Sequence, residues 1–193
     1  MNFLAHAHLS GKNSDLLFGN FIADAVKGNA STKYKDDILA GITLHRQIDT
    51  FTDAHIIHKE SRDLIRPHFG KFSGIVVDIY YDHFLAKQWN TYSDTPLDQY
   101  TRWVYKQVSK RFLLLPNRTK RILPFMISQN WLLNYANYPG LENIFHGMDR
   151  RTKYISGMDN AVEVLKTNHE PLNAHFNKFY PELMEYVKKT ALL

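Results

Sequence analysis

Four segments in the first half of the chain carry histidine and aspartate residues, and two of these segments place them at helical spacing. In GITLHRQIDTFTDAH, the residues His45, Asp49 and Asp53 follow one another at intervals of four, so on a helix they lie along one face. One imidazole and two carboxylates on such a face suit a hard or borderline divalent cation. A hydrogen bond between His45 and Asp49, with Asp53 as a helix N-cap, explains the same spacing without a metal. Because Thr52 or Asp53 can end the helix, Asp53 is the weaker candidate ligand.

The second segment, DIYYDHFLAKQW, places Asp78 and Asp82 one helical turn apart, with His83 directly after Asp82. The surrounding sequence is strongly apolar, and an unpaired charge buried on such a helix is costly. Asp82 must therefore face water, a partner or a metal. Neighbouring helical residues diverge by about 100°, so Asp82 and His83 can border one site without both binding one ion. The alternative is a paired aspartate beside a hydrogen-bonded core histidine.

The third group consists of His6 and His8 in MNFLAHAHLS and Asp24 in GNFIADAVKG. His6 and His8 diverge on a helix, so at most one of them joins a given site, and a single histidine on an apolar face is usually structural. Arg46 adjoins His45 and could bind a phosphate through two hydrogen bonds, pair with Asp49 or face solvent. The remaining histidines have no carboxylate partner at helical spacing, and we interpret them as surface or capping residues.

Composition limits the kinds of protein that the chain can be. Its 193 residues suit one domain over 1–193, and 44% hydrophobic with 22% charged residues is ordinary for a globular protein. The absence of cysteine excludes disulfides, thiolate metal sites and cysteine catalysis, and it fits a cytoplasmic location. The first ten residues lack the basic region of a signal peptide. No apolar run is long enough to span a membrane.

Helical spacing dominates the sequence, and alternating strand patterns are nearly absent. The patterns therefore predict an all-α domain. The predicted helices cover 2–10, 15–26, 36–49, 52–66, 73–89, 97–112, 117–137 (as one or two helices), 141–167 and 171–189. Ser14 is the expected N-cap of the second helix. Pro67 is expected to end the fourth helix, and Pro181 to kink or split the last one.

Positive charge is concentrated in one stretch. Residues 99–141 contain seven lysines or arginines and no acidic residue, although the formal net charge of the whole chain is only +5. This asymmetry predicts an acidic partner. A solvated helix face explains it equally well.

Seven segments occur in the order typical of the bacterial acyl carrier protein phosphodiesterases, and the chain resembles that family over essentially its full length. They are MNFLAHAHLS, GNFIADAVKG, GITLHRQIDTFTDAH, DIYYDHFLAKQW, QNWLLNY, HGMDRR and FYPELM. The family is similar to a divergent branch of the HD phosphohydrolases, which are helical proteins that hold a metal through histidine and aspartate. The HD pattern is an adjacent His-Asp pair, whereas this chain has the reversed pair Asp82-His83 and separates His45 from Asp49.

The resemblance implies an HD-phosphohydrolase-like fold and a hydrolase that depends on a divalent metal, Mn²⁺ with Mg²⁺ or Fe²⁺ as alternatives. The implied substrate is holo acyl carrier protein, from whose serine 4′-phosphopantetheine is released. With that reaction in view, the expected metal ligands are Asp24, His45, Asp49 and Asp82. The expected catalytic residues are Arg46, His83 and His6. The acidic carrier protein is expected to bind Arg102, Lys106, Lys110 and Arg111.

Two other functions remain open at the level of sequence. A hydrolase of nucleotides or ppGpp on an HD-like scaffold would use the same ligands. A basic helical module that binds nucleic acid would explain the charge, but the chain has no recognisable nucleic-acid motif and the histidine and aspartate spacing would stay unexplained. Neither a nucleic acid nor a membrane is an expected partner. The aromatic residues Trp131, Tyr135 and Tyr138 either line a pantetheine groove or pack in the core.

Overall fold

A computed structural model of the chain describes residues 1–152 and 156–191, without the side chains of residues 29, 30 and 191. These residues form α-helices and short 3₁₀ turns and no β-strand, so the all-α prediction is confirmed; the HD-like relation stays a prediction. The helices are α1 (Phe3–Leu9), α2 (Ser14–Ile22), α3 (Asp36–Ala54), α4 (Ile56–Phe69), α5 (Ser73–Lys87), α6 (Trp89–Tyr92), α7 (Leu97–Lys110), α8 (Asn117–Ser128), α9 (Trp131–Asn134), α10 (Tyr138–Asp149), α11 (Ala161–Thr167) and α12 (His169–Ala191). None of the helices in these ranges has the length and apolarity needed to cross a membrane.

Helix α5 is the centre of the core. Its own side chains are apolar on most of its surface, and a helix of that kind must be covered by other elements on several sides. It packs against α1, α4 and α12, and its buried side chains include Val76, Tyr80 and Phe84. The Tyr80 hydroxyl donates a hydrogen bond to the Ala161 carbonyl at 2.6 Å, which connects the start of α11 to this helix. The core therefore fixes α1 against α5.

Helices α2 and α3 touch each other through their backbones. A Cβ atom on Gly19 would lie 2.0 Å from the carbonyl oxygen of Ile38, and one on Gly41 would lie 2.1 Å from the carbonyl oxygen of Leu16. Only glycine allows so close an approach of two backbones. This contact brings the polar residues that follow the two glycines along α2 and α3 to one place.

Several helix ends differ from the predictions. Asn13, and not Ser14, caps α2, because its side-chain oxygen accepts hydrogen bonds from the amides of residues 15 and 16. Helix α3 continues through Asp53 to residue 54. Helix α4 passes Pro67, which removes one backbone hydrogen-bond donor but does not end the helix. The helix ends at Phe69, because the next residue, Gly70, adopts a positive φ of 51°.

The C-terminal part also departs from its prediction. Pro181 lies inside α12, which is assigned as one continuous helix. The predicted helix over 141–167 is two helices, α10 and α11, and residues 153–155 of that prediction lie outside the described residues.

Candidate metal centre

A pocket of about 630 Å³ opens between the N-terminal helices and α8–α10. One part of its wall is rich in carboxylates, with Asp24, Asp49, Asp53, Asp78 and the imidazole of His45. The other part is apolar and basic and contains Ile75, Arg118, Ile122, Trp131, Ile144, Met148 and Arg151. The pocket thus combines groups that attract cations with groups that attract anions.

His45 and Asp49 line the pocket, and the buried His6 contacts both of them from behind its wall. Nε2 of His6 lies 3.2 Å from Oδ1 of Asp49, and Nε2 of His45 lies 3.1 Å from Oδ2 of the same residue. The two imidazole rings are stacked, with centroids 4.0 Å apart. One donor atom of each residue lies within 4.8 Å of the others, so the three could hold a metal ion.

Asn20 fixes how the two imidazoles present their nitrogens. Its Oδ1 lies 2.8 Å from Nδ1 of His6 and 3.1 Å from Nδ1 of His45, while its Nδ2 donates to the His6 carbonyl and to Ser10 Oγ. An amide oxygen only accepts, so each ring carries its hydrogen on Nδ1 and a neutral ring keeps the Nε2 lone pair for a metal. Nε2 of His6 is buried and has no well-directed hydrogen bond to any described residue.

Asp24 is the fourth member of the cluster. Its Oδ1 lies 3.3 Å from Nε2 of His45, and its side chain is mostly exposed. It follows Asn20 by one turn, in the 3₁₀ turn that extends α2. The structure therefore brings four of the predicted site residues together: His6, Asp24, His45 and Asp49.

The charges of the cluster are strongly coupled. Burial lowers the pKa of His45, but its hydrogen bonds to Asp24 and Asp49 outweigh burial and raise the pKa to about 9. Burial raises the pKa of Asp49, yet the adjacent His45 and His6 hold it well below its usual range. The hydrogen bond from His45 lowers the pKa of Asp24. Burial lowers the pKa of His6. At neutral pH the proton of His45 thus occupies the place that a metal cation would take.

The structure gives Asp82 another position than the predicted one. Its carboxylate is fully buried and accepts hydrogen bonds from the amides of Leu4 at 2.7 Å and Ala5 at 3.2 Å. These amides are orphan donors in the first turn of α1, so Asp82 completes the end of the helix that carries His6. Asp82 does not line the pocket, so it is not among the metal ligands that we propose.

We expect Asp82→Asn to change how stability depends on pH. Burial raises the pKa of Asp82 to about 7 in the folded protein, from 3.8 in the unfolded chain. The folded state therefore holds this proton more tightly than the unfolded state. The resulting stabilisation is complete below pH 3.8 and is lost as the pH rises through 7. The variant cannot titrate there. Its stability relative to the wild type should increase from pH 5 to pH 8, by at most about 1.4 kcal/mol per pH unit. Urea unfolding at both pH values measures this, with the exposed Asp94→Asn as control. A constant difference would contradict the expectation.

Two further predicted catalytic residues do not reach the pocket. His83 donates from Nδ1 to the Tyr135 carbonyl at 2.7 Å, stacks on Tyr138 and is buried, and burial lowers its pKa to about 4. Arg46 is exposed and directs Nη2 to the Val26 carbonyl at 3.5 Å. Neither residue lines the pocket, so the geometry gives no support to their catalytic assignment.

His8 and His58 are held by other partners. Nδ1 of His8 lies 2.7 Å from the Tyr180 hydroxyl, which agrees with the expected divergence of His6 and His8. Nε2 of His58 and the α-amino group of Met1 both lie 3.0 Å from Oδ1 of Asp78. Burial raises the pKa of Asp78, but the positive charge of the N-terminus and the hydrogen bond with His58 lower it to about 2. The interpretation of His58 as a surface or capping residue was wrong, because its carboxylate partner is twenty positions away in the sequence.

The predicted partner-binding residues fall into two groups. Arg102, Lys106 and Lys110 are exposed at intervals of four along α7, although Arg102 pairs with Asp98 at 2.6 Å. Arg111 is mostly buried and is tied to α2 through Asp15 and Ser14. Lys106 and Lys110 are thus the two that stay accessible without an ion pair to a described residue.

Three residues of the site are not among those predicted from the sequence. Asn20 could have been found, because it precedes Asp24 by four residues on the same helix. Arg118 and Arg151 could not, since they enter the pocket from α8 and from the turn after α10. Of the three aromatic candidates, Trp131 and Tyr135 line the pocket.

Comparisons with known proteins agree with one another. Residues 1–183 match the family model described as acyl carrier protein phosphodiesterase. Proteins with that name from Pectobacterium atrosepticum, Photorhabdus laumondii and Klebsiella pneumoniae are 31%, 33% and 33% identical to this chain. The matches cover 100%, 96% and 100% of this chain and 100%, 94% and 100% of the relatives. No solved structure matches it significantly.

Proposed function

The chain belongs to the acyl carrier protein phosphodiesterase family, and on that basis we propose that it hydrolyses the phosphodiester between 4′-phosphopantetheine and the serine of holo acyl carrier protein. The products are apo carrier protein and free 4′-phosphopantetheine. The observation that carries this proposal is the cluster of His6, His45 and Asp49, of which His45 and Asp49 line a pocket that also presents two arginines. A cytoplasmic location stays a prediction.

The cluster fits a divalent metal cofactor. It offers two imidazole nitrogens and carboxylate oxygens, a donor set suited to Mn²⁺, with Mg²⁺ and Fe²⁺ as alternatives. The buried Nε2 of His6 lacks a well-directed hydrogen-bond partner among the described residues. A metal ion would give this nitrogen a partner. A cation held there would polarise a phosphate oxygen and lower the pKa of a bound water.

The residues of the chain then have distinct tasks. Asn20 holds both imidazoles in one tautomer, and the stacked rings keep their Nε2 atoms on the side of Asp49. Asp24 is the exposed carboxylate of the cluster and lines the pocket, so it can accept a hydrogen bond from the attacking water. The apolar wall that includes Ile122 and Met148 excludes water around the pantetheine arm.

The reaction is tested directly with holo acyl carrier protein. The purified enzyme is freed of metal and incubated with the substrate with and without Mn²⁺, and mass spectrometry follows the loss of the phosphopantetheine arm. We expect loss of the arm only with the metal. Parallel incubations with nucleotides and ppGpp test the other hydrolase function. Hydrolysis of those compounds without any change in the carrier protein would overturn the proposal.

We also propose that Lys106 and Lys110 on α7 attract the carrier protein. An exposed pair of cations one turn apart contributes mainly to the rate of association, and this effect weakens with salt. Arg102 lies one turn earlier on the same face, and the exposed Leu113 follows the helix.

Reversing these two charges should lower the salt dependence of catalysis. For Lys106→Glu with Lys110→Glu, we expect kcat/KM on holo carrier protein to fall about tenfold at low salt and to approach the wild-type value at high salt. The control carries the same charge change at the exposed Lys178 and Lys188 of α12. An unchanged salt dependence of kcat/KM in the α7 variant would rule out the docking role.

A further inference from the structure

Two arginines that are distant in sequence from the carboxylates line the same pocket. Arg118 belongs to the first turn of α8, and Arg151 follows the end of α10. Both line the pocket that Asp24 and Asp49 line. Within residues 1–152 and 156–191, no carboxylate lies within ion-pairing distance of either guanidinium.

Arg151 is held in place by uncharged contacts. Its Nε donates to the Gly147 carbonyl at 2.7 Å, and its guanidinium lies 5.7 Å from the centre of the Trp131 ring. These contacts orient the planar group and use one of its five donors, so the terminal nitrogens remain for a ligand. Burial lowers the pKa of Arg151, and the positive charges of Arg118 and Arg150 lower it further.

The position of Arg118 is unfavourable for the helix itself. The N-terminus of a helix carries a partial positive charge and favours acidic residues, yet the first turn of α8 contains no acidic residue. An anion bound between Arg118 and Arg151 would offset both positive charges and the positive end of α8.

The geometry points to an anion subsite formed by Arg118 and Arg151, which binds the phosphate group of the substrate against the His6, His45 and Asp49 cluster. Guanidinium groups bind phosphate oxygens through paired, charge-assisted hydrogen bonds. This inference rests on the proposed function for the identity of the phosphate, which is the diester of the protein-bound arm. In this assignment, Arg118 and Arg151 have the phosphate-binding role that the sequence suggested for Arg46, which does not line the pocket.

Inorganic phosphate and the metal-free protein provide the test. In the metal-free protein the cluster presents the carboxylates of Asp24 and Asp49 beside a protonated His45, so the contribution of the arginines is read from the difference between the wild type and the arginine variants. Phosphate is titrated at constant ionic strength into the ¹⁵N-labelled protein, and the side-chain Nε–H signals are followed by NMR. We expect the Arg151 signal to shift. The apparent affinity should fall about tenfold in Arg118→Gln and in Arg151→Gln.

Two neighbouring arginines serve as matched controls. Arg121 lies on the same helix as Arg118, and Arg150 adjoins Arg151, but neither lines the pocket. Arg121→Gln and Arg150→Gln should bind phosphate within about twofold of the wild type. Thermal unfolding of all four variants shows whether each is folded.

Apo acyl carrier protein, which lacks the phosphate, distinguishes the phosphate subsite from a docking site. Its affinity should be the same for the wild type and for the Arg118→Gln and Arg151→Gln variants. The inference is overturned if the wild type binds no phosphate, if folded variants bind it equally well, or if the variants lose apo carrier protein instead. If the arginines bind phosphate but the enzyme with Mn²⁺ leaves holo carrier protein intact, the subsite stands and the proposed function fails.

Discussion

Asp49→Asn should abolish metal-dependent release of phosphopantetheine, with kcat/KM lowered by about 10³-fold or more. Asp49 is the residue that both imidazoles of the cluster approach, at 3.1 and 3.2 Å. The substitution keeps the size of the side chain but removes the negative charge that a divalent cation requires. We expect the variant to fold and to bind Mn²⁺ far more weakly than the wild type, as measured by calorimetry beside the activity assay.

Asp53→Asn is the matched control for this prediction. Asp53 lies one turn further along α3 and lines the same pocket, but it is not part of the metal-binding group. Its closest ionic partner among the described residues is Arg62, at 3.9 Å. We expect activity within a few-fold of the wild type. If Asp49→Asn and Asp53→Asn were equally active, the cluster would not be the catalytic metal site.

Gly41→Ala should destabilise the protein by about 3 kcal/mol or more, which is a large part of the stability of a typical domain. The added methyl carbon would lie 2.1 Å from the Leu16 carbonyl oxygen, 2.8 Å from the Asn20 amide nitrogen and 2.9 Å from the Leu16 carbonyl carbon. Each of these is a backbone atom, so the clash is relieved only if α2 and α3 separate. Denaturant unfolding measures the loss directly.

The same separation should weaken the metal site, because Asn20 is on α2 and His45 is on α3. We expect any folded fraction of Gly41→Ala to bind Mn²⁺ less tightly. Gly74→Ala is the control, since a methyl group on this helical glycine would meet only the Arg62 side chain at 3.7 Å. That change should be neutral or stabilising by up to about 1 kcal/mol. Equal stabilities of the two variants would contradict the close helix contact.

The sequence predicted those parts of the site that depend on local spacing. His45 and Asp49 are one turn apart on a helix, so their contact follows from helix geometry alone. The contact of His6 with Asp49 depends on how α1 packs against α2 and how α2 packs against α3. Asn20 connects His6 to His45 only because Gly19 and Gly41 let two backbones meet. Spacing carries no information on such contacts.

The partner of Asp82 could not be predicted from the spacing of residues in the sequence. The position of Asp82 on an apolar helix correctly indicated that the carboxylate needs a partner. The partner in the structure is a pair of backbone amides at the start of α1, and no residue type in the sequence marks such a donor. The fold class followed from the helical pattern, whereas the prolines did not end their helices: α4 passes Pro67 and ends at Gly70, and α12 continues through Pro181.

We propose that His6, His45 and Asp49 bind one divalent cation at the pocket. Crystals soaked in Mn²⁺ and measured near the manganese absorption edge test it most directly. We expect an anomalous density peak at coordination distance from Nε2 of His6, Nε2 of His45 and a carboxylate oxygen of Asp49. A peak at other residues, or no peak there in crystals of enzyme that is active with Mn²⁺, would contradict it.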